Sequence, residues 1–222
     1  MMPTIGVCLS GSGVYDGAEI FEAVATLYHL DQAGAEYLAM APNIQQAHVI
    51  NHATGEEMPA ESRNVLVEAA RIVRGEIKDI ADLDAGDMDG LIFPGGFGAA
   101  KNLSTYAFDG VNCTVNQEVN RLAREILAAG KPLGAICIAP AMLAKILEGS
   151  GIDTRLTIGS DSKTAQDIES MGTTHVVCGV TEHVTDRENK IVSTPAYMLA
   201  NRIGETWEGI GGLVKEVLDL AA

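Results

Sequence analysis

The sequence predicts an α/β protein in which helices cover both faces of a mostly parallel sheet. Short apolar runs alternate with longer segments of helical periodicity, and the connections between them are short. Glycine is frequent, with 24 residues, whereas aromatic residues make up only 5%. This composition fits a close-packed sheet with functional glycine-rich loops better than an aromatic-rich β-sandwich. The hydrophobic fraction of 47% excludes a disordered chain.

The predicted elements alternate along the chain. Strands are predicted at residues 5–10, 35–41, 90–93, 132–136, 156–158, 176–180 and 190–193. Helices are predicted at residues 19–33, 62–73, 115–129, 139–147 and from 197 to near 220, with an irregular polar stretch at 43–60. In the first helix we expect Ile20, Val24 and Leu27 to face the sheet, which leaves Phe21 and Tyr28 on a second apolar flank.

The net charge of the protein limits the classes of partner that it can bind. Thirty acidic against fifteen basic residues give a formal net charge of −15, a balance that repels nucleic acid and anionic lipid. No run reaches the roughly 18–20 apolar residues that span a membrane, and the first residues lack the basic segment of a signal peptide. We therefore expect a cytoplasmic protein, or one in an organelle after loss of a transit segment.

The four cysteines, Cys8, Cys113, Cys137 and Cys178, form no CxxC or CxH pair. This spacing predicts neither a structural zinc site nor a redox dithiol, so we expect no metal. The glycine-rich segment 10–17 resembles a dinucleotide-binding turn but has one residue too many before its last glycine, and we expect no organic cofactor. The cysteines are then free thiols, and their positions decide which of them can react.

Two further turns follow predicted strands, where parallel α/β sheets bind their ligands. Gly95 and Gly96 follow a buried strand, and their uncovered N–H groups can face an oxyanion. A tight turn explains these glycines equally well. Cys137 lies where a strand passes directly into a helix, the geometry of a nucleophile elbow. A helix start favours the thiolate, so we expect Cys137 to have the lowest pKa of the four thiols.

Several long motifs resemble one family. Residues 92–104, Ile-Phe-Pro-Gly-Gly-Phe-Gly-Ala-Ala-Lys-Asn-Leu-Ser, and 135–141, Ala-Ile-Cys-Ile-Ala-Pro-Ala, are similar to the ThiJ/PfpI superfamily of class I glutamine-amidotransferase-like proteins. Residues 9–20, 49–56, 68–75 and 194–200 narrow the resemblance to its ElbB branch. The similarity covers essentially the whole chain. It implies one domain over residues 1–222, a flavodoxin-like three-layer sandwich and a homodimer.

The resemblance assigns roles to individual residues. Cys137 matches the superfamily nucleophile, and Glu22 matches the acid that contacts its sulfur. Gly95 and Gly96 match one oxyanion wall, and the amide of Ile138 matches another. Helical periodicity alone would make Glu22 a solvated carboxylate, because it lies opposite the face predicted to be buried.

A histidine that many superfamily members carry after the next strand is missing here. The matching segment, residues 156–160, reads Leu-Thr-Ile-Gly-Ser. His52, in the irregular stretch after a strand end, is the histidine best placed to substitute for it. The alternative for His52, as for the other four histidines, is a surface or satisfied polar role.

The resemblance implies a cofactor-independent glyoxalase, which converts glyoxal or methylglyoxal and water into a 2-hydroxy acid without glutathione. In that scheme the Cys137 thiolate adds to the aldehyde, and Glu22 holds and moves the proton. The activity can also be read as deglycation of protein adducts, and the branch is linked to isoprenoid biosynthesis. The alternative is a non-enzymatic redox-sensing or partner-binding protein with a reactive cysteine, which the missing histidine favours.

Overall fold

The computed structural model describes residues 2–222. The strands are β1 (Thr4–Cys8), β2 (Glu36–Ala41), β3 (Ile50–Asn51), β4 (Glu56–Glu57), β5 (Lys78–Asp79), β6 (Gly90–Phe93), β7 (Leu133–Ile136), β8 (Arg155–Leu156), β9 (Thr174–His175), β10 (Val184–Asp186) and β11 (Ile191–Thr194). The α-helices are α1 (Ile20–Gln32), α2 (Val65–Ala69), α3 (Phe97–Lys101), α4 (Tyr106–Asp109), α5 (Gln117–Ala128), α6 (Ala139–Leu147), α7 (Ser162–Ser170) and α8 (Ile203–Ala221).

Seven strands form one sheet in the order β10-β11-β7-β6-β1-β2-β5. Every neighbouring pair in it is parallel except β10 with β11. The strands β3 and β4 form a separate antiparallel hairpin, and β8 and β9 form a short parallel pair. The predicted mostly parallel sheet is confirmed.

Side chains alternate between the two faces of the central strands, as a pleated strand requires. In β6, Leu91 and Phe93 belong to a core that includes α5 and α6, whereas Ile92 belongs to a core that includes α1 and α8. In β1, Cys8 and Val7 divide in the same way. Two buried cores with a sheet between them make the predicted three-layer α/β sandwich.

Three local predictions are wrong. The stretch 43–60 is not wholly irregular, because it contains the β3–β4 hairpin. The run 176–180 is not a buried strand: β9 ends before it, and Val177 is among the most exposed apolar residues. The last helix begins at Ile203 instead of Tyr197, because Ala196–Met198 form a 3₁₀ turn that belongs to the site described below.

The helix α1 presents an apolar face to solvent. Ile20 and Val24 are 44% and 38% exposed, so the prediction that they face the sheet is wrong. Small side chains such as Ala23 and Thr26 are buried in their place, and they let the helix backbone lie close to the sheet and to α8. Phe21 is also 44% exposed. Several large apolar side chains in the first half of α1 therefore point away from the core, whereas Leu30 near its end is fully buried.

Among residues 2–222, no helix combines the length and the apolar character needed to cross a membrane.

Candidate active site

Cys137 lies at the junction between β7 and α6. Its φ angle is 62°, a left-handed conformation that costs a side-chain-bearing residue free energy and is typical of functional sites. The backbone N–H of Cys137 donates to the carbonyl of Thr194 at 2.9 Å, which fixes this conformation against the end of β11. The residue as a whole is only 8% exposed, so the thiol lies in a largely desolvated environment.

Glu22 lies against Cys137 and is fully buried. Its Oε2 accepts the N–H of Gly95 at 3.0 Å, and its Oε1 accepts the N–H of Tyr197 at 3.2 Å. The Glu22 carboxyl and the Cys137 thiol lie close enough to shift each other's pKa: contact with the thiol lowers the pKa of Glu22, and contact with Glu22 raises that of Cys137. The solvated position that helical periodicity indicated for Glu22 is wrong, because distant backbone donors and the thiol supply partners for the carboxyl group.

Burial raises the pKa of the Glu22 carboxyl to about 8, and the charge of nearby Glu19 adds to this rise. The hydrogen bonds from Tyr197, Cys137 and Gly95 oppose it without cancelling it. Glu19 is itself nearly buried at the start of α1, and its Oε2 accepts the N–H of Glu22 at 2.7 Å. At neutral pH Glu22 therefore holds a proton beside the sulfur.

The thiol of Cys137 is not acidified by the helix that follows it. Burial and the facing Glu22 raise its pKa well above the ordinary value, whereas the N–H groups of Gly96 and Ile138 act in the lowering direction. The expectation that Cys137 has the lowest thiol pKa is therefore wrong, since desolvation outweighs the helix start. The two groups form one coupled acid pair that releases its protons in two steps.

Gly95 and Gly96, in the turn after β6, contribute to the site in different ways. A Cβ on Gly95 would clash with the Cβ of Cys137 and lie 2.6 Å from Oε2 of Glu22. Gly96 has a φ of 94° and packs against the backbone of Gly17 and Glu19. Since Glu22 takes the Gly95 N–H, the expected oxyanion donors that face the sulfur are Gly96 and Ile138.

His52 has neither ring nitrogen free for Cys137. Its Nδ1 lies 3.1 Å from the carbonyl of Ile50, and its Nε2 accepts the N–H of Tyr15 at 3.2 Å. Asp16 lies 3.8 Å from Nε2. The ring therefore joins the β3–β4 hairpin to the glycine-rich segment 10–17, and it does not replace the missing histidine.

The other thiols are placed without such partners. Cys8 is fully buried in β1, and burial raises its pKa. Burial also raises the pKa of Cys113 and of Cys178, which lies 3.5 Å from the hydroxyl of Thr157. No group of three or more His, Cys, Asp or Glu side chains within residues 2–222 is arranged to hold a metal ion.

Tyr197 and Glu19 belong to the site, although sequence reasoning placed neither of them in it. Tyr197 follows Ala196, whose φ of 42° turns the chain so that the next N–H points at Glu22. The segment 194–200, which contains Tyr197, is one of the motifs on which the family resemblance rests. That resemblance was the only indication that Tyr197 could belong to the site. Glu19 gave a signal too, as the acid in the first turn of a predicted helix.

Comparisons with known proteins agree with this geometry. The family model described as DJ-1/PfpI family matches residues 13–157. The ES1 protein homolog, mitochondrial, of Rattus norvegicus is 48% identical over 97% of this chain and 83% of its own length. The glutamine amidotransferase-like class 1 domain-containing protein 3, mitochondrial, of Homo sapiens is also 48% identical, over 97% of this chain and 82% of its own.

Solved structures support the same fold. A crystal structure of an isoprenoid biosynthesis protein with an amidotransferase-like domain from Ehrlichia chaffeensis superposes with a TM-score of 0.89 at 36% identity, over 97% of this chain and 99% of that one. Glyoxalase III from Candida albicans shares the fold, with a TM-score of 0.60 at 16% identity over 99% and 96% of the two chains.

The expected cytoplasmic location is contradicted. The relatives from rat and human, and the ES1 protein of Danio rerio at 34% identity, are named as mitochondrial proteins. The expectation rested on charge, the lack of a membrane-spanning run and the lack of a basic N-terminal segment, and these features do not separate the cytosol from the interior of an organelle.

This chain combines a cysteine at a strand-to-helix junction with a buried acid beside it and a glycine turn after β6. The matching family model covers most of the chain. The similarity extends to the ElbB branch through the isoprenoid biosynthesis protein. This chain belongs to the DJ-1/PfpI family of class I glutamine amidotransferase-like proteins.

Proposed function

We propose that the protein is a glutathione-independent glyoxalase, which converts glyoxal or methylglyoxal and water into a 2-hydroxy acid at Cys137. The observation that carries this proposal is the buried pair of Glu22 and Cys137, in which a carboxyl with a pKa of about 8 contacts a sulfur atom. Isomerisation of a dicarbonyl needs a nucleophile together with a group that takes and returns a proton. This pair supplies both.

The reaction begins in molecules whose Glu22 is ionised, a minor fraction below its pKa of about 8, when the carboxylate takes the proton of the Cys137 thiol. The sulfur of Cys137 adds to one aldehyde carbon, its proton passes to the new oxygen by way of Glu22, and a hemithioacetal forms. The Glu22 carboxylate then removes the hydrogen on that carbon as a proton, and the electron pair moves to the oxygen of the neighbouring carbonyl, giving an enediolate. Glu22 returns the proton to the second carbon, the hydroxyl proton on the first oxygen passes to the second oxygen, and the product is a thioester of the 2-hydroxy acid. Water hydrolyses the thioester and regenerates the thiol.

Negative charge develops on oxygen during the addition and during hydrolysis. The N–H groups of Gly96 and Ile138, which face the sulfur, are the donors closest to that oxygen. Gly95 contributes differently, because its N–H orients the Glu22 carboxyl. In the absence of a nearby histidine, Glu22 is the sole proton carrier of this scheme, and we expect turnover to be slow.

The test is a steady-state assay with glyoxal and no added glutathione. Purified wild-type protein should form glycolate, and Cys137→Ala should form none above the uncatalysed rate. Proteins that carry hemithioacetal or aminocarbinol adducts should be assayed as competing substrates. Deglycation of such adducts is the alternative interpretation of the same reaction. Equal rates for the wild type and Cys137→Ala would refute the proposal.

The second candidate is a redox sensor, and one observation favours it. Two backbone N–H groups and the protonated Glu22 surround the sulfur of Cys137, and these donors would also stabilise a sulfinate at that position. Peroxide treatment followed by mass spectrometry tests this function. A sensor forms sulfinic acid at Cys137 at low peroxide and does not turn over glyoxal.

A further inference from the structure

A pocket near the cysteine turn has no role in the chemistry above. It encloses about 270 Å³, opens to solvent and is lined by Tyr15, Ile50, Gly55, Phe97 and Lys101. The rings of Tyr15 and Phe97 are both exposed. Two aromatic rings and one ammonium group therefore share a concave surface, and the β3–β4 hairpin forms its opposite wall.

Chain connectivity links one wall of this pocket to the turn beside Cys137. The N–H of Gly96 faces the sulfur, and Phe97 is the next residue and the first of α3. The N–H of Phe97 donates to the carbonyl of Val14 at 2.8 Å, so the glycine-rich segment that carries Tyr15 is bound to the same turn. Phe97, which forms one side of the pocket, therefore directly follows Gly96, whose N–H faces the sulfur.

Lys101 is a cation with unused donors. Its Nζ donates to the carbonyl of Tyr15 at 2.9 Å and lies 5.1 Å from the centroid of the Phe97 ring. No carboxylate of residues 2–222 lies within ion-pair distance of it. Burial lowers the pKa of Lys101, while the charges of Asp16 and Glu57 oppose that change. A partly desolvated ammonium group with free N–H donors favours an anionic partner.

The acids near Lys101 limit the charge of that partner. Oδ2 of Asp16 accepts the N–H of Ile50 at 2.7 Å, so this carboxylate already has a hydrogen-bond partner in the β3–β4 hairpin. Glu57 lies on β4 and is exposed. Together with a net charge of −15, these two acids repel a doubly charged ligand such as a phosphate ester. One negative charge, as on a carboxylate, is the better match.

We propose that Lys101 is an anion-binding subsite of the Cys137 centre and that the preferred substrate is a short 2-oxoaldehyde that also carries one carboxylate. The carbonyl lies at the sulfur, the carboxylate at Nζ of Lys101, and the carbon chain against Phe97 and Tyr15. This substrate class rests on the proposed reaction at Cys137. The subsite also goes beyond that reaction, because neutral glyoxal and methylglyoxal offer no negative charge to Lys101.

The first test compares two alkylating reagents of nearly equal size at Cys137, neutral iodoacetamide and anionic iodoacetate. Lys101→Met should lower the iodoacetate rate roughly fivefold and leave the iodoacetamide rate unchanged. Lys215→Met is the matched control, because it removes the same charge from an exposed position on α8. An unchanged ratio of the two rates in Lys101→Met overturns the proposal.

A second test does not depend on thiol chemistry. Binding of pyruvate, a small carboxylate with a neighbouring carbonyl, is followed by saturation-transfer NMR with the wild type, Lys101→Met and Lys215→Met. We expect the pyruvate signal to disappear in Lys101→Met alone. If glyoxal turnover is absent and pyruvate still binds through Lys101, the reaction proposal fails and the subsite stands. If pyruvate binds equally to all three proteins or to none, the subsite is refuted.

Discussion

The carboxyl group of Glu22 and the backbone N–H of Gly95 are joined by a 3.0 Å hydrogen bond between α1 and the turn after β6. With Tyr197 N–H on its other oxygen, the carboxyl can rotate little and stays directed at Cys137. The pair therefore depends on three segments that are far apart in the chain.

We predict that Glu22→Gln lowers glyoxal turnover by roughly 10²-fold or more, because an amide cannot take and return the proton. The Cys137 thiol should still react with iodoacetamide, since glutamine keeps the size of the side chain. Steady-state kinetics and mass-spectrometric labelling of the same preparation check both parts. Turnover close to that of the wild type would remove Glu22 from the mechanism.

We predict that the pH dependence of stability reports on Glu22. Its pKa rises from 4.5 to about 8 on folding, so between these values the folded protein holds a proton that the unfolded chain releases. The free energy of unfolding should therefore fall as pH rises through this range, by about 1.4 kcal/mol per pH unit from this group.

Urea unfolding at several pH values between about 5.5 and 7.5 measures this slope. The difference in unfolding free energy between the wild type and Glu22→Gln should shrink as pH rises, because the variant lacks the titrating group. A difference that is constant across this range would show that Glu22 is ionised in the folded protein.

We predict that Glu19 controls the pKa of the pair through its charge. Glu19→Gln preserves the hydrogen bond to the Glu22 N–H, because the amide oxygen can accept it, but it removes the negative charge. The pH midpoint for ionisation of Glu22, followed by the carboxyl band in infrared difference spectra against Glu22→Gln, should move down by about one unit. Glu36→Gln is the control, since Glu36 is exposed at the opposite end of the parallel strands. An unmoved midpoint would limit Glu19 to helix capping.

We predict a homodimer that covers the apolar face of α1. Phe21 and Tyr28 are 44% and 45% exposed on this face beside Ile20 and Val24, and a two-fold contact can bury one such patch on both subunits. Light scattering should show a dimer for the wild type and a monomer for the double variant Phe21→Asp, Tyr28→Asp. The exposed Val67 on α2 supplies the control variant Val67→Asp. A monomeric wild type at micromolar concentration would contradict the prediction.

The fold was largely predictable because its signals are local. The apolar run of β6, the direct passage from β7 into α6 and the proline in the first turn of α6 all lie within a few residues of the structures they specify. The burial of Glu22 is different. Its partners are Gly95, 73 positions away, and Tyr197, 175 positions away, and helical periodicity contains no information about them. Only the resemblance to a family identified this acid.

The faces of α1 and the pKa of Cys137 were misjudged for related reasons. Amphipathic patterns assume that the largest apolar side chains turn inward, but α1 buries Ala23 and Thr26 and leaves Ile20 and Val24 in solvent. The helix-start argument for Cys137 considered one favourable contribution. It could not include the desolvation and the facing carboxyl, which depend on how tightly the three segments pack.

The most direct test of the central claim is a search for the acyl group on Cys137 during turnover. The protein is mixed with glyoxal, quenched in acid, freed of small molecules and treated with hydroxylamine, which releases a thioester as a hydroxamate but does not convert a hemithioacetal into one. The account predicts glycolohydroxamate from the wild type and from the Cys178→Ser control, and none from Cys137→Ser. Glycolate formation at the wild-type rate by Cys137→Ser, without any hydroxamate, would contradict it.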